Sequence, residues 1–256
     1  MEMKYITYEK KDGVCNIVHE RAPMNFLSIE SMKEFISVIK DAEADPEVKL
    51  MTLRGGGEKF FSAGVDVSDH TEERAKEMME TFINLLTTAM YGSKPKIAVV
   101  QGFALGGGCE LIAYCDMVFA SEKAKFGQPE INVGVFPAPA AAIFPKLIGL
   151  KKTYELLLTG NMLSAAEAEK IGLINGVFPH ENLDEEIAKI TSNLCSKSSI
   201  VLQITRKAIL SCKDMDLDKA MAWTNDIYGG ELMNTEDAHV GIEAFMAQKQ
   251  PVWKNK

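Results

Sequence analysis

Ile97-Ala98-Val99-Val100-Gln101-Gly102-Phe103-Ala104-Leu105-Gly106-Gly107-Gly108-Cys109-Glu110 leads from a β-rich apolar segment through a glycine triplet into a helical pattern. An apolar run follows, then Phe126-Gly127-Gln128-Pro129-Glu130-Ile131. A buried strand feeding a glycine turn and a helix points to an α/β sheet, in which ligands bind outside the carboxyl ends of the strands. The glycines let the backbone approach a ligand closely, and N–H groups in the first turn of a helix have no partner within it. The helix dipole adds to this. Such a turn can hold a carbonyl oxygen that becomes negative during reaction, where one donor contributes about 3–4 kcal/mol. Glu110 lies just inside the helix and Glu130 in the later loop, each with apolar sequence neighbours. Apolar surroundings raise a carboxyl pKa toward the range a general acid or base needs, and a pair can move one proton on and another off. The plain alternatives are a tight strand-to-helix turn, a Glu110 stabilised by the dipole by about 0.3–1 kcal/mol, and a solvated loop glutamate.

Outward from this stretch, Val14 to Val18 and Val48 to Leu53 read as strands, and the N-terminal Met-Glu-Met-Lys-Tyr-Ile runs into a strand-like pattern. Between the two strands Ser28 caps a helix whose apolar face is Ile29, Met32, Ile36 and Ile39 and which gives way at Asp45-Pro46. Strand, helix, strand makes a crossover unit. Gly55-Gly56-Gly57 and Phe60-Phe61-Ser62-Ala63-Gly64-Val65-Asp66 follow the second strand, as a flexible loop or as a ligand loop. Ala75 to Met90 carries a Met/aromatic stripe at helical spacing, which suits a core or a subunit interface. Val133 to Pro145 is apolar and rich in proline, with no polar side chain. Ser164-Ala165-Ala166-Glu167 is a capping box for a short helix that stops near Gly172, and Leu173 to Phe178 offers another strand. From Leu183 onward the pattern is helical. Residues 1–195 are therefore expected to form an α/β core with the active site, and 196–256 a helical C-terminal part whose Met221, Trp223, Ile227 and Tyr228 are too apolar for a free tail and suit an oligomerisation region.

A chain of 256 residues allows one large domain, or one domain plus a small appendage, and 46% hydrophobic against 25% charged residues suits a soluble protein with a substantial core. The net charge of −8 argues against affinity built on nucleic-acid phosphates. Five cysteines, at 15, 109, 115, 195 and 212, lack metal-ligand or CxxC spacing and suggest reduced thiols in a cytoplasmic compartment. The dispersed histidines suggest no metal site, and neither a signal peptide nor a span of ~20 apolar residues is apparent. The glycine run matches neither a dinucleotide fingerprint nor a P-loop, and no GxSxG elbow occurs.

Ala104-Leu105-Gly106-Gly107-Gly108-Cys109-Glu110-Leu111, Cys115-Asp116, Phe126-Gly127-Gln128-Pro129-Glu130 and Phe61-Ser62-Ala63-Gly64-Val65-Asp66 resemble the signatures of the enoyl-CoA hydratase/isomerase (crotonase) superfamily. Ala22-Pro23-Met24-Asn25 matches its early CoA-contacting loop more loosely. The resemblance covers nearly the whole chain. It implies a spiral of ββα units with a helical C-terminal part, assembled as trimers, often paired as hexamers. It implies that the N–H groups of Val65 and Gly107 form an oxyanion hole for a thioester carbonyl. Glu110 and Glu130 would activate water and deliver the proton, and having both favours hydration over isomerisation. Met24, Ala63, Asp66, Gly106 and Phe136 would line the acyl-CoA site, with Phe245 and Lys249 reaching CoA from a neighbouring subunit. Coenzyme A enters as part of the substrate, with no further cofactor.

Ordinary short-chain hydratases carry a Gly-Gly-Thr-Gln-Arg-like run after the second glutamate, where this chain has Pro137-Ala138-Pro139-Ala140-Ala141-Ala142-Ile143-Phe144-Pro145. Gly134-Val135-Phe136 with that run, Ser68-Asp69-His70 and Glu231-Leu232-Met233 look most like the cyclohexa-1,5-diene-1-carbonyl-CoA hydratases of anaerobic aromatic degradation. The expected reaction is then 1,4-addition of water to give 6-hydroxycyclohex-1-ene-1-carbonyl-CoA. The alternatives are a generic short-chain enoyl-CoA hydratase or isomerase of fatty-acid β-oxidation, and a non-catalytic acyl-CoA-binding protein on the same fold.

Overall fold

The computed structural model describes residues 3–256, so the first two residues of the N-terminal reading lie outside the described residues. β1 (Ile6–Lys11) and β2 (Val14–His19) form a hairpin across Asp12-Gly13, both at positive φ. α1 (Ile29–Ala44) starts at Ser28, whose side chain accepts from the Ser31 N–H while the Ser31 hydroxyl accepts from the Ser28 N–H. This reciprocal cap satisfies two donors that the helix itself leaves unpaired. The crossover ends in β3 (Leu50–Gly55), parallel to β2 with Cys15 opposite Met51.

From there the chain winds as a spiral. Each turn places one strand in a first sheet, the next strand in a second sheet, and then a helix outside. β4 (Phe60–Ser62) is followed by α2 (Ala75–Tyr91), and β5 (Lys96–Val100) with β6 (Phe103–Leu105) by α3 (Gly107–Ala113). β7 (Met117–Ser121) and β8 (Lys125–Gly127) lead to α4 (Ala138–Leu147) and α5 (Gly149–Thr159). β9 (Met162–Ser164), α6 (Ala165–Lys170) and β10 (Gly176–Phe178) complete the two sheets. The first runs β1-β2-β3-β5-β7-β10 and the second β4-β6-β8-β9. Only the β1–β2 and β8–β9 pairs are antiparallel.

β5 is buried along its whole length, as expected of a central parallel strand covered on both faces. Cys15, Ile17, Met51, Leu53, Ala98 and Val100 join the core that α1 and α2 complete. The alternate side chains Val14, Leu50, Ile97 and Val99 meet Leu183 and Ile187 of α7 (Leu183–Cys195) on the other face. α8 (Ser199–Cys212), α9 (Leu217–Gly230) and α10 (Glu236–Met246) follow. α8 is tied to the core by Arg206, which is buried. Its Nε donates to Asp116 at 2.8 Å, and its guanidinium also donates to the carbonyls of Met90 (2.6 Å) and Gly92 at the end of α2.

The elements expected from the sequence occur with shifted edges. The strand drawn over Leu173 to Phe178 is confined to Gly176–Phe178, because Leu173 and Ile174 are spent in the core turn after α6. The proline-rich run is helical from Ala138. Pro139 stands in the first turn, where no intrahelical N–H bond is needed, and Pro145 only two residues before the end. Among the described residues no helix is long and apolar enough to cross a membrane, and no group of three His, Cys, Asp or Glu could hold a metal ion.

Candidate active site

The glycine turn lies between β6 and α3. Gly106 holds φ +50° and ψ −127°, a conformation that L side chains rarely adopt. It is also crowded, since a Cβ there would stand 2.6 Å from Oε1 of Glu130 and 3.8 Å from Cα of Gly64. A Cβ on Gly107 would lie 2.8 Å from Cγ2 and 3.1 Å from the backbone nitrogen of Val65. Glycine is therefore required so that the Ala63–Asp66 loop can lie directly against the start of α3. This brings the Val65 and Gly107 amides side by side. Among the described residues, neither N–H donates to any oxygen of the chain.

A second contact fixes the same loop. Leu27 and Val65 form a parallel bridge, with Leu27 N–H donating to Gly64 O at 2.9 Å and Asp66 N–H to Leu27 O at 2.9 Å. Ala63 N–H donates to Met24 O at 3.0 Å. Buried Asn25 pins the early loop by donating from Nδ2 to the carbonyls of Gly56 (2.9 Å) and Phe60 (2.8 Å). Asp66 accepts from Arg21 at 2.5 Å and from Ser68 N–H at 2.9 Å, and these contacts hold its carboxyl below the ordinary range against the opposing effect of burial. The structure thus joins Met24, Ala63, Val65, Asp66, Gly106 and Gly107, which lie far apart in sequence.

Glu110 sits one turn into α3 and is 3% exposed. Its Oε1 accepts the Ala140 N–H at 2.7 Å, a donor that the first turn of α4 leaves free. Burial dominates nonetheless and, with the Glu130 charge nearby, pushes the Glu110 carboxyl up to about 8. Glu130 lies in a 3-10 turn, Pro129–Val133, and burial pushes it up to about 7. Gln128 is fully buried beside it. With its amide nitrogen turned toward Glu130, it donates to both carboxylate oxygens at 3.2 Å. Two carboxyls with pKa values near neutrality, beside two unpaired N–H groups, can move protons while the amides hold an oxyanion.

The remaining expected residues are placed differently. Phe136 is 69% exposed on the loop before α4, so in the single chain it is an outer rim and not a closed wall. Phe245 is 84% exposed on α10 and Lys249 follows that helix. No hydrogen bond or ion pair among the described residues joins either to the glutamates. Gln128, Asn25 and Arg21 carried no assigned role in the sequence reading. Gln128 stands within a motif that singled out Glu130, and its amide becomes meaningful only once the turn is folded.

The family model described as enoyl-CoA hydratase/isomerase matches residues 9–256. A short-chain-enoyl-CoA hydratase of Clostridium acetobutylicum is 32% identical over 98% of this chain and 97% of its own. A crotonyl-CoA hydratase of Syntrophomonas wolfei is 33% identical over 98% of both chains. The crystal structure of an enoyl-CoA hydratase from Bacillus anthracis superposes with a TM-score of 0.94 at 28% identity, covering 99% of this chain and 100% of that one. The spiral of ββα units, the paired loops and these similarities converge: the chain belongs to the enoyl-CoA hydratase/isomerase family.

Proposed function

We propose that this protein adds water to an α,β-unsaturated acyl-CoA thioester. The observation that carries the reading is the meeting of Glu110, buried, and Glu130, partly buried, both raised toward neutrality, with the unpaired N–H groups of Val65 and Gly107. The thioester oxygen accepts from the two amides. Glu130 takes a proton from water, and Glu110 holds that water. The hydroxide equivalent bonds to the β-carbon, and the double-bond electrons move toward the thioester oxygen, where the amides stabilise the charge. A proton then returns to carbon. Coenzyme A is part of the substrate in this reading, contacted by the Met24 and Ala63–Asp66 loops and, in an assembled trimer or hexamer, by Phe245 and Lys249 of a neighbour. Exposed apolar side chains in the C-terminal part, among them Leu217 (74%) and Met221 (62%), support such an assembly. The five cysteines are free thiols, which suits a cytoplasmic setting.

The finer reading concerns the acyl group. The segment from Val133 to Pro145 offers no polar side chain, and α4 built from it stands directly over Glu110. This favours a compact, apolar, cyclic dienoyl group, cyclohexa-1,5-diene-1-carbonyl-CoA, hydrated by 1,4-addition to 6-hydroxycyclohex-1-ene-1-carbonyl-CoA. The relatives' names favour a second reading, a short-chain enoyl-CoA such as crotonyl-CoA. Turnover of the two esters measured side by side decides between them. A higher kcat/KM for the cyclic ester supports the ring reading, a strong preference for crotonyl-CoA overturns it, and no turnover of any enoyl-CoA overturns hydration itself.

A further inference from the structure

A recess of about 250 Å³ lies between α2 and α4, next to the Pro139–Ala140 peptide whose N–H holds Glu110, its apolar walls made by Met79, Ile83 and Leu86 on one side and Ala138, Pro139 and Ala142 on the other. A closed cavity of ~150 Å³ is enough to hold benzene, and this recess, open on its outer side, is of the size a six-membered ring needs. Two lining residues carry hydroxyls, Thr87 and Tyr114. The Thr87 hydroxyl is committed to its own helix, donating to Ile83 O at 2.8 Å. The Tyr114 hydroxyl is held only by Pro139 O at 3.5 Å, the long limit of a hydrogen bond. It is therefore the loosely held proton donor of the recess.

Its place relative to Glu110 follows from the helix. Tyr114 caps the C-terminal end of α3, four residues beyond Glu110. The same peptide group separates the two side chains on α4: its carbonyl (Pro139) faces the Tyr114 hydroxyl and its N–H (Ala140) holds the Glu110 carboxylate. Tyr114 is half-buried, and burial, with the Glu110 charge second, raises its phenol pKa and keeps the proton on the oxygen at neutral pH.

We propose that Tyr114 is a third acid–base residue of this site, donating the proton to the far end of a conjugated ring substrate. This rests on the cyclic-dienoyl reading above. In hydration of a simple enoyl ester the proton returns to the α-carbon, next to the carbon that receives the hydroxyl. In a ring dienoyl ester it returns to the carbon opposite the hydroxylated one, a position set apart from the water-activating group. Glu130 takes a proton from water, the C–O bond forms at the β-carbon, and the electron pair moves through the ring to the thioester oxygen. The dienolate pair then forms the distal C–H bond with the phenol proton, leaving the O–H pair on the phenolate. The phenolate recovers its proton, through solvent, from the carboxylic acid formed on Glu130. One water is added and no other reactant is consumed.

Tyr114→Phe tests this, since it removes one oxygen and keeps the ring that packs in the recess. With cyclohexa-1,5-diene-1-carbonyl-CoA, kcat is expected to fall about a hundredfold or more while KM stays within about threefold. The loss on crotonyl-CoA, whose proton returns beside the hydroxyl, is expected to be smaller by about tenfold or more. Equal losses on both esters, which a structural role produces, or no loss on the cyclic ester, overturn the inference and leave the ring reading standing. Failure of the native protein to hydrate the cyclic ester while it hydrates crotonyl-CoA overturns both.

Discussion

Glu110 on α3 accepts the backbone N–H of Ala140 on α4 at 2.7 Å, although thirty positions separate them in the chain. This bond favours the ionised carboxylate, but burial outweighs it and leaves the carboxyl up at about 8, with Glu130 at about 7. The pair is therefore expected to give a bell-shaped kcat/KM profile, rising as pH passes about 7 and falling above about 8, with the two values belonging to the pair. Stability follows with a definite sign. Both carboxyls titrate higher in the folded chain than their ordinary 4.5, so the folded state holds more protons between those limits. Their contribution is complete below about pH 4.5 and is lost as pH rises toward 8. Thermal melts of native and Glu110→Gln chains check this: the variant gains on the native protein as pH rises from 5 to 9.

Gly106→Ala tests whether the turn is built for the site. The new Cβ meets Oε1 of Glu130 at 2.6 Å and requires a side chain at φ +50°. Strain of about 1–3 kcal/mol is expected from the backbone alone. Because the clash is with the carboxylate, kcat should fall by more than the melting temperature would suggest. Steady-state kinetics at a temperature well below the melt separates the two effects, and unchanged kcat would show that Glu130 is not held where the structure places it.

Gln128→Leu removes the donor that faces both Glu130 oxygens at 3.2 Å. Losing a donor to the ionised form raises a carboxyl pKa. The acidic limb of the profile should therefore move upward from about 7, with a smaller change on the alkaline limb. An unmoved acidic limb would assign that limb to another group.

Arg206→Met addresses the tie between α8 and the core. The variant removes the guanidinium from Asp116, which keeps only the Lys96 N–H at 2.8 Å, and leaves the carbonyls of Met90 and Gly92 uncapped. The Asp116 side chain keeps 27% exposure, so water offsets part of the loss, and a cost of about 2–3 kcal/mol is expected. For a chain of this length that corresponds to a melting point lower by roughly 4–12 °C. A calorimetric scan measures it directly.

The long elements were legible because their periodicity is local. The α1 face of Ile29, Met32, Ile36 and Ile39 and the uninterrupted apolar run of β5 each announce burial within a few residues. The second sheet was not. β4, β6, β8 and β9 are three residues each, too short to show alternation, and they exist because the spiral stacks them on one another. The site was half legible. Both glutamates and the glycine turn stood out by residue type, whereas the Ala140 N–H that holds Glu110 has no signature in an alanine-rich run. The burial that raises both carboxyls was expected from their apolar neighbours. The exposure of Phe136 was not, since hydrophobicity alone does not distinguish a wall from a rim.

Hydration of crotonyl-CoA, or of the cyclic dienoyl ester if the native protein prefers it, by Glu110→Gln and Glu130→Gln chains tests the central claim most directly. Each variant keeps a side chain of the same shape but loses the carboxyl that holds water or moves the proton. The account predicts a fall in kcat of about a hundredfold to ten-thousandfold in each, with KM within a few-fold of native. Near-native kcat in either variant would contradict it.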